Sequence, residues 1–414
     1  MHVKITPSFL SGHIDILPSK SYFHRILICC ALCKEETLIL RHSDSDDITH
    51  TILSLRSIGA KIEDTKEGFL VRPANKSIFD SVLNVGESGS TLRFMVPLVS
   101  ALGLGGQFIT KSGLAKRPML ELLEVLVEHS IDIVSEFPLK ISGKLTPGVY
   151  NIRGDISSQF ITGLLLALPL LDGDSEIFIK GTTQSQSYID ITLEILKIFG
   201  IIIKKTSSGY AVLGNQQYKS PKTISVEGDW SNAAFWLVAA AINGDLYVGG
   251  LNYKSTQGDK QIIDILKCAN GNISISDNLV HAYKSELKAF SCDAADCPDL
   301  VPILSILASC ANGQSVIKNV DRLRFKECDR IEATISNLKK LGIKAVYDGE
   351  LKITGGIPNS GKLEGFNDHR MVMSAVVLGL LTEVEITGAE AHRKSYPDFF
   401  SVFKKVGGLC DTIE

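Results

Sequence analysis

Six times along the chain a small or polar start gives way to an almost unbroken apolar run. The runs are Ser19–Leu32, Ser88–Leu102, Ser157–Leu171, Trp230–Ile242, Pro298–Cys310 and Asn367–Leu381. Their starts are 69, 69, 73, 68 and 69 residues apart, and the 414-residue chain is six times 69. Runs apolar on every side predict helices inside a core rather than helices with a wet face. A second, more amphipathic pattern follows each run. It tends to read L-x-x-[LI]-G before a β-type stretch, as in Leu53–Ile62, Ile191–Ile203, Ile331–Val346 and Ser401–Cys410. These patterns end near Gly59, Ser130, Gly200, Asn270, Gly342 and Gly407, where a left-handed residue would close a helix. Strand-like runs such as Leu38–Leu40, Leu246–Val248, Val316–Ile317 and Val384–Ile386 lie between. The pattern predicts an α/β chain of six strand–helix–strand–helix–strand–strand units, with the apolar helix inside and the amphipathic one outside.

Composition narrows what such a chain does. Hydrophobic residues make up 44% and charged residues 21%, an ordinary globular balance, and the length suggests two or three domains. A net charge of −3 offers no field to gather nucleic acid, so any anion must be held by local clusters. The apolar segments fall short of the ~20 residues that cross a bilayer, so no membrane partner is expected. Nine cysteines are an odd number. Cys30 and Cys33 form a C-x-x-C inside an apolar run without further ligands nearby, which reads as core thiols rather than zinc ligands. No metal site is expected. The start Met1-His2-Val3-Lys4 has no signal-peptide pattern, and with the unpaired thiols this points to the cytoplasm.

The candidate chemistry sits at the helix starts. Lys20 and Arg25 open the first run, Gly89 and Arg93 the second, and His369 and Arg370 the sixth. A helix N-terminus is electropositive, so cations there are unfavourable unless an anion joins them. Ser157, Ser158 and Gln159 open the third run with hydroxyls and an amide instead. Arg322, Arg324 and Lys326 alternate as on one face of a strand end, followed by Glu327 and Arg330. Asp299, at the fifth start, is a carboxylate suited to capping or to proton abstraction. The fourth start, Asp229-Trp230-Ser231-Asn232, carries no cation and is expected to be structural. Gly356–Leu363 approximates a P-loop but lacks the hydroxyl after Lys362, and it reads as a turn.

Taken in order, these segments resemble the 5-enolpyruvylshikimate-3-phosphate synthase (3-phosphoshikimate 1-carboxyvinyltransferase) family of enolpyruvyl transferases. The resemblance runs the whole length. It rests on S-K-S-x-x-x-R at Ser19–Arg25, G-x-S-G-[ST]-x-x-R at Gly86–Arg93, Arg117-Pro118-Met119, Ser157–Phe160 and Ser187–Thr192. It continues through Val226–Asp229, Pro298-Asp299, Leu323–Arg330, Asn367–Met371 and Lys394–Asp398. It implies two inside-out α/β barrel domains of three units each. Here these would be residues 19–226, and residues 1–18 with 227–414. It implies transfer of the enolpyruvyl group of phosphoenolpyruvate to shikimate 3-phosphate, through a tetrahedral intermediate. No cofactor is implied, the two small substrates are the only partners, and the family is commonly monomeric.

Carried onto this chain, the resemblance assigns the shikimate phosphate to Ser157, Ser158, Ser185 and Lys326, with Arg322 where Asn commonly touches it. Lys20, Ser21, Arg25, Tyr188 and Asp299 would meet the rest of that substrate. Phosphoenolpyruvate would meet Lys20, Gly89, Arg93, Arg117, Gln159, Arg330, Arg370 and Lys394. Asp299 would take the hydroxyl proton, with Glu327, Lys20 and His369 as further candidates for proton transfer. His24 and Glu87 stand where Asn is often found, and Phe94 where Pro is. Two other readings compete: an enolpyruvyl transferase acting on a UDP-amino sugar, and a non-catalytic anion-binding repeat scaffold. The first usually carries a reactive Cys or Asp in a mobile loop, and Gly103–Arg117 has neither. The second would not need Asp299 and Glu327 beside the cations.

Overall fold

Each of the six apolar runs folds as a helix covered on nearly every side. In the computed structural model, which describes residues 1–74 and 79–413, the chain divides into two compact units, 20–226 and 1–19 with 227–414. The first unit holds α1 (Lys20–Leu32), α2 (Asp46–Ser57), α3 (Gly89–Leu102), the single turn α4 (Ser112–Ala115), α5 (Leu120–Glu128), α6 (Ser158–Ala167) and α7 (Gln186–Ile198). The second holds α8 (Trp230–Asn243), α9 (Ile262–Cys268), α10 (Val301–Ser309), α11 (Arg330–Lys340), α12 (His369–Leu378) and α13 (Phe399–Lys405). The apolar runs become α1, α3, α6, α8, α10 and α12. Every residue of α1 from Tyr22 onward is buried, as is every residue of α8 before Asn243. The amphipathic helices α2, α5, α7, α9, α11 and α13 bury one side only.

Six four-stranded sheets surround these helices, and all six share one topology. Val149–Arg153 runs parallel to Ser175–Lys180, whose other edge pairs antiparallel with Gly209–Val212, which pairs antiparallel with Ile203–Lys205. Three sheets borrow a strand from elsewhere in the sequence. Thr223–Ser225 completes the sheet of Thr37–Leu40. Leu10–Asp15 completes that of Gly244–Gly249, and His2–Thr6 sits between Val384–Thr387 and Leu409–Ile413.

The turn after each outer helix needs one left-handed residue. Gly59, Ser130, Gly200, Asn270, Gly342 and Gly407 have φ of 94°, 72°, 75°, 62°, 78° and 100°. All six were legible from the sequence pattern. Some helix starts are displaced from it. Pro298–Leu300 forms a 3-10 turn before α10. Phe366 and Asn367 are left-handed, so α12 begins at His369 with Asp368 as its cap. Cys30 and Cys33 are buried thiols, and no described helix is long and apolar enough to cross a membrane.

The Arg322–Lys326 segment departs from the strand-end expectation. Asp321–Phe325 is a 3-10 helix, so period two does not apply and the three cations do not share a face. Arg324 turns to Asp329 Oδ2 at 2.8 Å and lies over the Tyr347 ring, while Arg322 Nη2 donates to the Ala295 carbonyl. Lys326 Nζ bonds Asp299 Oδ1. The reason is local: Asp329 caps α11, and its second carboxylate oxygen draws Arg324 away.

Candidate active site

In the unit 20–226 the polar groups gather at the starts of α1, α3 and α6. Lys20, the first residue of α1, places Nζ 2.7 Å from Asp47 Oδ2 in the first turn of α2. Arg25, one turn further on, is buried. Its Nε donates to Thr192 Oγ1 at 2.8 Å, Nη1 to the Ser21 carbonyl at 2.6 Å, and Nη2 to the Tyr188 carbonyl at 3.0 Å and Thr162 Oγ1 at 3.3 Å. Its guanidinium lies 5.1 Å from the centre of the Phe94 ring. Among the described residues no carboxylate lies within ion-pair distance of Arg25, and burial pulls its pKa down to about 10. A buried cation left without a counter-charge costs several kcal/mol (~3–5), which an arriving carboxylate would relieve.

Helix α3 begins with Ser88 as its cap and Gly89 as its first residue. A side chain at Gly89 would stand 3.0 Å from Arg117 Nη1 and 3.2 Å from Arg93 Nη1, so glycine leaves the backbone N–H groups open between two guanidiniums. Arg93 Nη1 donates to Gln159 Oε1 at 2.6 Å and Gln159 Nε2 donates to Ser90 Oγ at 2.9 Å. These bonds bring Gly89, Arg93, Arg117 and Gln159 into one group. Helix α6 approaches α3 closely because Pro97 cannot donate to the Arg93 carbonyl and Gly163 packs against that oxygen, where a Cβ would stand 2.3 Å away. Ser157 caps α6, accepting from Gln159 N at 3.3 Å, and Ser158 is buried beside it. Ser185 precedes α7 in a left-handed conformation and Tyr188 lies in that helix's first turn.

In the other unit Asp299 is the centre. Its Oδ1 takes Arg330 Nη1 at 2.9 Å and Lys326 Nζ at 3.2 Å, and its Oδ2 takes Arg370 Nη2 at 3.0 Å. Arg330 also donates to Asp368 Oδ2 and Glu327 Oε2, each at 2.7 Å. Burial alone would raise the Asp299 carboxyl, but Arg370, Lys326 and Arg330 outweigh it and hold it well below its ordinary value. Burial lowers Lys326 to about 8, with Asp299 opposing and Arg330 and Arg322 reinforcing. Burial also opposes the charge on Arg330, yet its carboxylates raise its pKa above the usual guanidinium value. Lys394 Nζ donates to the Asn367 carbonyl at 2.6 Å. His369 is buried, with Nδ1 3.8 Å from Asp368 Oδ1, beyond hydrogen-bond distance.

Four contributors escaped sequence reasoning. At the fourth helix start, the Ser231 hydroxyl donates to Asp259 and accepts from Arg370 Nη2. Burial, with Asp299 nearby, pushes the Asp259 carboxyl up to about 6 against the pull of Arg370. Asp368 stands inside a recognised motif, where its adjacency to Arg370 was the available signal. Nothing local distinguishes Asp47 from Asp46. Among the described residues no group of His, Cys, Asp and Glu is arranged to hold a metal ion.

The family model described as EPSP synthase (3-phosphoshikimate 1-carboxyvinyltransferase) matches residues 5–403. The chain belongs to the EPSP synthase family. It is 40% identical over 424 residues to the 3-phosphoshikimate 1-carboxyvinyltransferase of Clostridium acetobutylicum, covering 98% of this chain and 97% of that one. It is 36% identical over 432 residues to the enzyme of that name from Clostridium novyi, covering 99% and 98%. The solved EPSP synthase of Acinetobacter baumannii superposes over all of both chains with a TM-score of 0.83 at 25% identity. The enolpyruvyl transferase NikO from Streptomyces tendae has a TM-score of 0.80 at 16% identity, a likeness of fold alone. Within the EPSP synthase family, the six-unit α/β chain is the two-domain inside-out barrel.

Proposed function

We propose that this chain transfers the enolpyruvyl group of phosphoenolpyruvate to the 5-hydroxyl of shikimate 3-phosphate and releases phosphate. The hydroxyl oxygen bonds to C2 of the enol while its proton leaves to Asp299 and C3 gains a proton. The resulting tetrahedral intermediate then expels phosphate as C3 gives a proton back. Glu327 and Lys20 are assigned the proton traffic at C3 and at the leaving phosphate, with His369 as a further candidate. Shikimate 3-phosphate is assigned to Lys20, Ser21, Arg25, Ser157, Ser158, Ser185, Tyr188, Asp299, Arg322 and Lys326. Phosphoenolpyruvate is assigned to Lys20, Gly89, Arg93, Arg117, Gln159, Arg330, Arg370 and Lys394. The two compact units are taken as the two domains. The enzyme is read as a cytoplasmic monomer with these two small molecules as its partners.

One observation carries the mechanism: a carboxylate clamped by three cations. At rest Arg370, Lys326 and Arg330 make Asp299 a poor base. Two substrates bring two phosphates and two carboxylates, which compete for those same cations. Once the cations turn to the substrates, the proton affinity of Asp299 rises and the base is switched on where the hydroxyl is bound. Holding both reactants in place then converts a bimolecular step into a local one. Phosphate release tests the reading. Turnover is expected with phosphoenolpyruvate and shikimate 3-phosphate, and turnover only with a UDP-amino sugar overturns it. Binding of both substrates by the wild-type chain without turnover would favour the scaffold.

A further inference from the structure

The first turns of α1, α2 and α3 are joined by two polar rungs. Helix α1 carries Lys20 and His24 one turn apart, and α2 carries Asp47 and Thr51 one turn apart. Lys20 meets Asp47 in the first rung, and His24 Nδ1 meets Thr51 Oγ1 at 2.7 Å in the second. The second rung runs on into α3. Thr51 Oγ1 lies 2.6 Å from Thr91 Oγ1, which lies 2.7 Å from Ser88 Oγ, the cap of α3. His24 is 1% exposed, and Thr51, Thr91 and Ser88 are 0% exposed, so these groups are shielded from bulk solvent. An unmade hydrogen bond here costs about 1–3 kcal/mol.

The hydrogens of the chain have few places to go. A neutral imidazole and three hydroxyls bring four donors to three links. Among the described residues the one further acceptor in reach is the Asp47 carbonyl, 3.4 Å from Thr51 Oγ1 and 3.5 Å from Thr91 Oγ1. With a hydrogen in every link, two arrangements give each an acceptor, and both put the ring hydrogen on Nδ1, donating to Thr51. Either Ser88 donates to Thr91, Thr91 to Thr51 and Thr51 to the Asp47 carbonyl, or Ser88 and Thr51 both donate to Thr91 and Thr91 donates to the Asp47 carbonyl. His24 Nε2, buried and without a partner among the described residues, is then a bare acceptor. Burial, with Lys20 and Arg25 nearby, holds the ring neutral, well below the usual histidine range. A second N–H on the ring would be a buried donor with nothing to receive it.

We propose that His24 and Thr51 are positioning residues that set the start of α3 against the start of α1, and so the fit of phosphoenolpyruvate between Lys20 and Gly89. Asp47 is the common anchor, holding Lys20 with its carboxylate and ending the chain at its carbonyl. Arg25 pins α1 separately to α6 and α7 through Thr162, Thr192 and Tyr188. Breaking the second rung removes the hold of α2 on the first turn of α3, while Gln159 still ties Ser90 and Arg93 to α6. The shift is therefore expected to stay within the first turn of α3, and the residues assigned to shikimate 3-phosphate on α6 and α7 keep their places. This rests on the assignment of Lys20 and Gly89 to phosphoenolpyruvate.

Thr51→Val keeps the shape and removes both links. It is expected to raise KM for phosphoenolpyruvate about tenfold, short of the ~100-fold that a misplacement of about 1 Å can cost, with KM for shikimate 3-phosphate little changed. Thr51→Ser keeps the oxygen and should restore the wild-type value. The proposal is overturned if both KM values rise together, if neither moves, or if serine is as impaired as valine. Thr91→Val is read the same way if Thr51→Val does not fold. Nitrogen NMR of the wild-type ring is independent of both: a proton on Nδ1 is expected, and one on Nε2 overturns both arrangements. Gly89→Ala separates the two readings. If it leaves KM for phosphoenolpyruvate unchanged the site assignment fails. If it raises KM while Thr51→Val does not, only the positioning role fails.

Discussion

Single side chains here are defined by the company they keep. Arg25 and Arg330 are both buried, yet one has no carboxylate among the described residues and the other has three. Burial therefore lowers the first, while its partners raise the second. The same contrast makes a pH prediction. Lys326, lowered to about 8, is charged below that pH and neutral above it. In the proposed assignment kcat/KM for shikimate 3-phosphate should fall as pH rises through about 8. Lys326→Arg should abolish that limb because a guanidinium stays charged, and Lys326→Met should lower kcat/KM about 10- to 100-fold below the limb. A limb that persists in the arginine variant would rule Lys326 out as its source. Asp299 predicts the acid side. Free enzyme holds it ionised to low pH, whereas bound substrates take its cations. The acid limb of kcat should therefore lie at higher pH than that of kcat/KM, and coincident limbs would contradict the clamp.

Elements were legible where period and punctuation agree. The buried helices repeat every 68 to 73 residues, and six left-handed turns follow the outer helices. Ser130 and Asn270 fill two of those turns without being glycine. Serine at φ 72° is strained by about 1 kcal/mol or more, partly offset by the greater freedom glycine has when unfolded. Ser130→Gly should stabilise by up to about 1 kcal/mol and raise Tm by roughly 2–4 °C in a melt of the unit. Asn270→Gly should gain less, since asparagine tolerates this conformation. The Arg322–Lys326 segment shows where pattern reading fails. Alternation over five residues fits a strand edge, but Asp329, outside that window, pulls Arg324 aside and the segment coils. Phe94 and His24 touch in space. Their rings meet edge to face at 6.4 Å beneath Arg25.

At the scale of the molecule, the units differ in how the chain builds them. Residues 20–226 are continuous and contain three complete sheets, including Thr223–Ser225. The other unit needs His2–Thr6 and Leu10–Asp15 to complete two of its sheets. Expressed alone, residues 20–226 should fold with one cooperative transition. Residues 227–414 alone should be unfolded or aggregated, because two sheets lose a strand. Joining residues 1–19 after the C-terminus by a short linker should restore folding, since His2 already pairs antiparallel with Ile413. Circular dichroism melts and size-exclusion chromatography decide it. A 227–414 fragment as stable as the joined one would show that the borrowed strands are dispensable.

The sequence alone determined the six-fold repeat, the inner and outer helices, the closing turns and most of the charged helix starts. These are properties of neighbours along the chain, set by period, by helix-end electrostatics and by backbone sterics. The tertiary structure alone decided that Asp299 stands at the centre of three cations, that Ser231 and Asp259 back Arg370, and that His24 reaches α3 through Thr51. Those contacts join residues 27 to 139 positions apart, or cross three helices in sequence. Charge neutralisation and hydrogen-bond satisfaction depend on what lies within a few ångströms in space, and no local pattern encodes that.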